Sequence, residues 1–309
     1  MYDCIVIGGG PAGLAAATYL GRFMRSSLVI DAGGGRASSI PTTHNLLGFP
    51  EGISGQVLLA RMHQHATRYG AKVVNDFVKG VVQTQSGFVV TTAIEEVRTR
   101  TLLLAQGVKN HRPKLSQEAH DRGVARGLIR YCPICDAYEI RGRRVAVLGC
   151  SEHGAAEAMF VRHYSDAVTL LTQDASRLSE AEKTKLTRGG IATERVPIGN
   201  LFINDQDLTV KLADGRSLRF DTLYVALGTS AHSDLARMIG AELGPSGCIL
   251  VDEHQETTIS GMFAVGDMVE GLDQIAVAAG QAAKAATAIH NRLSHPTPPC
   301  PPLVPTAQI

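Results

Sequence analysis

The sequence of 309 residues has no tryptophan, six cysteines, almost no net charge and no long apolar run, and each shortage removes a class of protein. A formal net charge of +1 leaves no global field to recruit nucleic acid, membrane or an acidic partner. No apolar stretch approaches the roughly 18 to 20 residues needed to cross a bilayer. The first strand pattern begins at Cys4 and leaves no room for a charged segment followed by an apolar signal, so a cytoplasmic protein is expected. Cys4, Cys132, Cys135, Cys150, Cys248 and Cys300 are too sparse for a disulfide scaffold, which fits a reducing compartment. No second CxxC and no spaced histidine pair accompanies Cys132 and Cys135, so a zinc site lacks its ligands and no metal is expected.

What is present is glycine, 32 residues of it, and two strand-glycine-helix units. Cys4 to Ile7 reads as a short buried strand, and Gly8-Gly9-Gly10-Pro11-Ala12-Gly13 opens an alanine-rich helix. Ser27 to Ile30 is a second strand, ending at Asp31. In such a fingerprint the glycines give a tight turn, close approach to pyrophosphate and close helix-strand packing, and the helix N-terminus faces the phosphates. Asp31 then stands where an acid accepts hydrogen bonds from a ribose. A helix near Gln56 to Tyr69 and strand patterns from Lys72 to Ala105 follow.

Near His111 the pattern restarts, with a strand from Arg144 to Leu148, a helix from Glu152 to Tyr164 and a strand from Ala167 to Leu171. After Gly228 the chain reads as a return to the first unit, with strands at Gly247 to Val251 and Met262 to Val265, then Gly266-Asp267 and a helix from about Ile275 to Leu293. The fold class is therefore α/β: two Rossmann-like, three-layer ββα nucleotide-binding domains, the second inserted into the first. Residues 1–111 and 239–295 make the first domain, 112–238 the insert, and 296–309 a proline-rich tail.

Between the two fingerprints lies Cys132-Pro133-Ile134-Cys135, followed by Asp136. Cysteines so spaced can close a small disulfide, and the first thiol of such a pair is usually the more acidic and exposed. Disulfide exchange needs an attacking thiolate and a protonated group for the departing sulfur. Asp136 is suited to that proton or to capping the helix after the motif.

Together Gly8 to Gly13, Asp31, His44-Asn45 with Gly48-Phe49-Pro50, Cys132 to Asp136, and Gly266-Asp267 with Gln274-Ile275-Ala276 resemble a low-molecular-weight thioredoxin reductase-type flavoprotein over nearly the whole length. The resemblance implies FAD. Leu104-Ala105-Gln106-Gly107 stands where such proteins have an Ala-Thr-Gly turn, and Asp267 stands where an aspartate binds the ribityl chain. Arg36, Asn45, Gly107 and the turn at Gln274 to Ala276 are implied as further FAD contacts, with the following helix dipole near the flavin's N1 and O2 edge. Cys135 is implied as the thiol facing the flavin, Cys132 as the thiol attacking a partner disulfide, and Asp136 as the acid and base. A homodimer and a thioredoxin-like or small-molecule disulfide partner follow from the same resemblance.

The second fingerprint departs from that family. It reads Gly149-Cys150-Ser151-Glu152-His153-Gly154, with a side chain at the central glycine position and a negative charge beside it. Thr172-Gln173-Asp174 after the next strand offers no arginine pair for a 2′-phosphate. NADPH is not the expected partner. Electrons are expected through ferredoxin, a second FAD in the insert, or another donor or acceptor. The alternatives are an NAD(P)H-dependent thioredoxin reductase with a divergent site and a flavin redox sensor without turnover. If the tail 296–309 folds over the flavin face, it also blocks a nicotinamide.

Overall fold

Strand β1 (Tyr2–Ile7) is buried from Cys4 onward and lies between two parallel neighbours inside a mixed sheet because it is apolar on both faces. The computed structural model describes residues 1–172 and 178–294. Gln173, Asp174 and the tail 296–309 with Cys300, on which the expectations about a 2′-phosphate site and a flavin cover rest, lie outside the described residues.

From β1 the chain enters α1 (Pro11–Arg22), with proline at its first turn, and returns as β2 (Ser27–Asp31), parallel to β1. Helix α2 (Gly55–Arg68) is capped by Ser54, whose side chain accepts from Val57 N–H. Strands β3 (Lys72–Asn75), β4 (Val78–Thr84), β5 (Gly87–Thr92) and β6 (Glu96–Leu104) complete the path β3-β2-β1-β6-β5-β4. Leu102, Leu103 and Leu104 are fully buried in β6, each contributing about 1.5–3 kcal/mol of apolar transfer.

The chain leaves this sheet through β7 (Val108–Asn110) and α3 (Gln117–Ala125) and builds a second one. Its strands β8 (Ile129–Arg130), β9 (Val145–Gly149), β10 (Val168–Leu171), β11 (Ala192–Glu194) and β15 (Thr222–Ala226) are parallel in the order β11-β10-β9-β15-β8. Short helix α4 (Pro133–Asp136), then α5 (Ser151–Arg162) and α6 (Glu180–Arg188), join them, and β12 (Ile198–Ile203), β13 (Leu208–Leu212) and β14 (Ser217–Phe220) form an antiparallel flap. The way back is β16 (Thr229–Ala231), which pairs antiparallel with β7, so the outgoing and returning connections are hydrogen-bonded to each other.

After α7 (Asp234–Met238), β17 (Met262–Ala264) rejoins the first sheet beside β6, and α8 (Ile275–Ser294) packs on α1 through Ala278, Ala282, Ala285 and Ala286. Small residues at helical spacing let the two helices approach closely. This is the expected architecture of two Rossmann-like domains, the second inserted into the first. One expected element is absent: Gly247 to Val251 forms only isolated bridges, at Ile249 and Val251. Asp252 Oδ1 accepts from the N–H groups of His254 and Glu256 and curls the chain before a ladder can extend. No helix among the described residues is long and apolar enough to cross a membrane.

Candidate active site

The first fingerprint works through space as much as through conformation. Gly8 has φ +108°, and a Cβ there would come within 2.4 Å of the Ala105 carbonyl oxygen. At Gly13 a Cβ would lie 1.9 Å from the Gly8 carbonyl oxygen, so Gly13 seats helix on strand and does not line the cavity. Beside Gly10 there is open space, the side where a pyrophosphate would need the backbone bare. The strand end brings Asp31 back to this turn, where its Oδ1 accepts from Gly9 N–H at 2.9 Å, leaving Oδ2 for a ligand.

A cavity of about 430 Å³ runs from this turn past Arg36, Asn45, Gly107, Gly266 and Asp267 to the second sheet's CxxC. Gly8, Gly10, Pro11, Ala12 and Asp31 line one end, and Gln274 and Ile275 at the start of α8 line the wall. Ala276 is exposed and does not line it. Arg36 reaches Asp267 at 3.3 Å and Asp273 at 2.8 Å. Burial pushes the Asp267 carboxyl above the usual carboxylate range, against the pull of Arg36. Gln106, also lining the cavity, has its Oε1 buried without a hydrogen-bond partner. A buried acceptor without a donor, open space beside Gly10 and the free N–H groups of the α8 N-terminus fit a dinucleotide carrying a flavin ring.

At the other end Cys132 and Cys135 form a disulfide that faces the cavity. Pro133 starts α4, and Cys132 Sγ accepts from Cys135 N–H at 3.2 Å. Gln274 Nε2 lies 3.5 Å from Cys132 Sγ and 3.4 Å from Cys135 Sγ, while Asn45 donates to Gln274 Oε1 at 2.9 Å. Two amides of the first sheet's loops thus hold the sulfurs of the second. Asp136 makes no helix cap, which removes that alternative. Its Oδ2 is paired with Arg130 at 2.6 Å and its Oδ1 accepts from Tyr224 at 2.7 Å. Burial raises the Asp136 carboxyl, opposed by Arg130 and the Tyr224 hydroxyl.

The family model for pyridine nucleotide-disulphide oxidoreductases matches residues 2–282. The chain belongs to this family. It is 30% identical over 312 residues to the thioredoxin reductase of Aquifex aeolicus (strain VF5), covering 95% of this chain and 94% of that protein. Among solved structures it resembles HlmI at 26% identity with a TM-score of 0.87, over 95% of this chain and 92% of that one. The atypical thioredoxin reductase TRi from Desulfovibrio vulgaris Hildenborough is 33% identical, with 96% and 100% covered and a TM-score of 0.55. A redox-spaced disulfide over a dinucleotide cradle makes this family member a flavin-dependent thiol-disulfide oxidoreductase of thioredoxin reductase type.

In this pyridine nucleotide-disulphide oxidoreductase the second fingerprint keeps its packing and loses its centre. A Cβ on Gly149 would lie 2.8 Å from Gly154 Cα, so the outer glycines still seat α5 on β9. Between them Ser151 takes φ +73°, the left-handed region that costs a residue bearing a Cβ. Glu152 is exposed in the first turn of α5, and none of residues 149–154 lines the main cavity. Cys150 and Cys248 are free and half-buried.

Three residues of the cavity and its surroundings have no motif of their own: Arg130, Glu139 and Tyr224. Glu139 lies four residues after Cys135, in the short helix that follows α4. Tyr224 gave no local signal, since it meets Asp136 only through the neighbouring strand order.

Proposed function

We propose that this enzyme shuttles electrons between FAD and a thioredoxin-like or small-molecule disulfide or dithiol, with an electron donor or acceptor other than NADPH. The observation that carries this is a contrast between fingerprints: open space beside Gly10, and a Ser151 side chain in left-handed backbone at the matching position of the second. FAD would lie with its pyrophosphate at Gly8 to Gly13, aided by Pro11 and Ala12, and its ribose at Asp31. Arg36, Asn45, Gly107, Gly266, Asp267, Gln274, Ile275 and the Ala276 turn would hold the rest. FAD supplies the two-electron chemistry. In this reading Cys135 exchanges electrons with the flavin, Cys132 attacks the partner disulfide, and Asp136 handles a thiol proton. The donor or acceptor is a ferredoxin, a second flavin in the insert, or a dithiol substrate itself. A homodimer, a cytoplasmic site and domains at 1–111 with 239–295 and at 112–238 belong to the same proposal.

One observation favours ordinary nicotinamide use: the retained Gly149–Gly154 packing, in a chain 28% identical to the Arabidopsis thaliana protein named NADPH-dependent thioredoxin reductase 3. Anaerobic stopped-flow mixing with excess NADPH separates the two. The flavin is expected to stay oxidised, and rapid bleaching overturns the proposal. A flavin-to-protein ratio near two in the holoenzyme would put the second flavin in the insert.

A further inference from the structure

Nearly every charged group that lines the cavity is already held. Asp136 has both oxygens engaged, by Arg130 and Tyr224. Asp267 and Asp273 share Arg36, and Asp31 accepts from Gly9 N–H. Arg126, at the end of α3, is paired with Asp205 at 2.8 Å. The Tyr131 hydroxyl, whose pKa burial pushes up to about 12, is hydrogen-bonded to the His120 ring at 2.7 Å. Among the described residues one acid-base couple remains: His44 Nδ1 lies 3.3 Å from Glu139 Oε1.

The couple and the disulfide line the same cavity. Glu139 follows Cys135 by four residues, in the short 3-10 helix Ala137–Ile140 that comes directly after α4, and lines the cavity together with Cys132 and Cys135. Its second oxygen, Oε2, is buried without a hydrogen-bond partner. His44 precedes Asn45, whose amide is linked through Gln274 to both sulfurs. His44 has 43% of its side chain exposed against 28% for Glu139, so it is the more open to water of the two. Gly52 makes room for the ring, since a Cβ there would lie 2.7 Å from His44 Cδ2.

We propose that Glu139 and His44 form a proton relay between the dithiol and solvent, beside Asp136. Closing the disulfide from two thiols removes two electrons and two protons. A bound FAD would accept both electrons and one proton; the other proton passes from a thiol to Glu139, then to His44, then to water. Reduction of the disulfide runs the same route inward. This rests on reading Cys132 and Cys135 as the flavin-linked dithiol.

The test is the pH profile of iodoacetamide alkylation of Cys132 and Cys135 in the reduced holoenzyme, read by mass spectrometry. Removing the carboxylate in Glu139→Gln stabilises a nearby thiolate, so its profile moves to lower pH. Removing the cation-forming ring in His44→Gln moves it to higher pH. A displacement of one pH unit is about a tenfold change in alkylation rate on the acidic side. Both variants are also expected to slow anaerobic flavin reduction by a dithiol, about a hundredfold at the lower end for a lost acid or base. General damage would not shift the two profiles in opposite directions. Profiles that stay put, or move together, overturn the relay. If either variant sheds its flavin, Glu139→Asp decides: it keeps the charge and should keep the wild-type profile, and a shift as large as that of glutamine overturns the proposal. Full dithiol turnover in Cys132→Ser or Cys135→Ser would instead overturn the reading of the site beneath it.

Discussion

The Tyr224 hydroxyl donates to Asp136 Oδ1 at 2.7 Å, tying a fully buried residue of β15 to the carboxylate that follows the CxxC 88 positions earlier. Arg130 of β8 holds the other oxygen at 2.6 Å. Strands β8 and β15 are neighbours in the second sheet, so the sheet itself places a cation and a phenol around the acid. The acid beside the dithiol is thus fixed in place and its charge is set by three opposing influences.

Tyr224→Phe removes a hydrogen bond to a charged group and is expected to destabilise the fold by about 1.5–3 kcal/mol. The pH dependence has a definite sign. Burial dominates and raises the Asp136 carboxyl, so its contribution to stability is present below the unfolded carboxyl range and is lost as pH rises through the raised native value. The tyrosine opposes that loss by favouring the ionised form. The variant's deficit is therefore largest at neutral and mildly alkaline pH and narrows on acidification. Urea denaturation across that range measures it, and a deficit that does not vary with pH contradicts it.

Cys132→Ser and Cys135→Ser are each expected to abolish disulfide turnover, because exchange needs both sulfurs. Flavin binding should survive in both, since the cradle at Gly8 to Asp31 belongs to the other sheet. Visible absorbance of the purified variants, set beside turnover with a disulfide substrate, gives the answer. Loss of flavin from either would mean that the CxxC helps to hold the cofactor.

How much of this was legible follows the range of the interaction. Gly8 to Gly13 and Cys132 to Asp136 announce themselves, because a tight turn, a bare backbone and a two-residue thiol spacing are local demands. The return of the chain at Gly266-Asp267 was readable from a strand-turn-helix pattern. The partners of Asp136 were not, because Arg130 and Tyr224 meet it only after the order β9-β15-β8 is formed. Gly247 to Val251 misled for the opposite reason: apolar residues suggest a strand, but Asp252 captures two backbone N–H groups just beyond it.

Two glycines of the first fingerprint, Gly13 and Gly10, should fail differently. Gly13→Ala puts a methyl 1.9 Å from the Gly8 carbonyl and must push α1 off β1, at a cost of about 1–3 kcal/mol or more. Gly10→Ala meets nothing within 4 Å and should fold with little loss. Its penalty falls on the cofactor, as weaker FAD retention during dialysis. Thermal unfolding and flavin content, measured on both, are expected to separate along these lines; equal loss of stability in the two contradicts the assignment of space.

Ser151→Gly tests the second fingerprint from the side of stability. Serine at φ +73° carries a left-handed penalty of about 1–2 kcal/mol, of which glycine's extra unfolded-state freedom returns roughly 0.5–1. A gain of about 0.5–1 kcal/mol is expected, visible as a higher unfolding midpoint. The substitution also clears the position where backbone would meet pyrophosphate. It leaves the exposed Glu152 beside that position, and the acid's charge opposes a phosphate there. NADPH should therefore still fail to bleach the flavin of Ser151→Gly under anaerobic mixing. Rapid bleaching in this variant alone would show that one side chain closes the nicotinamide site.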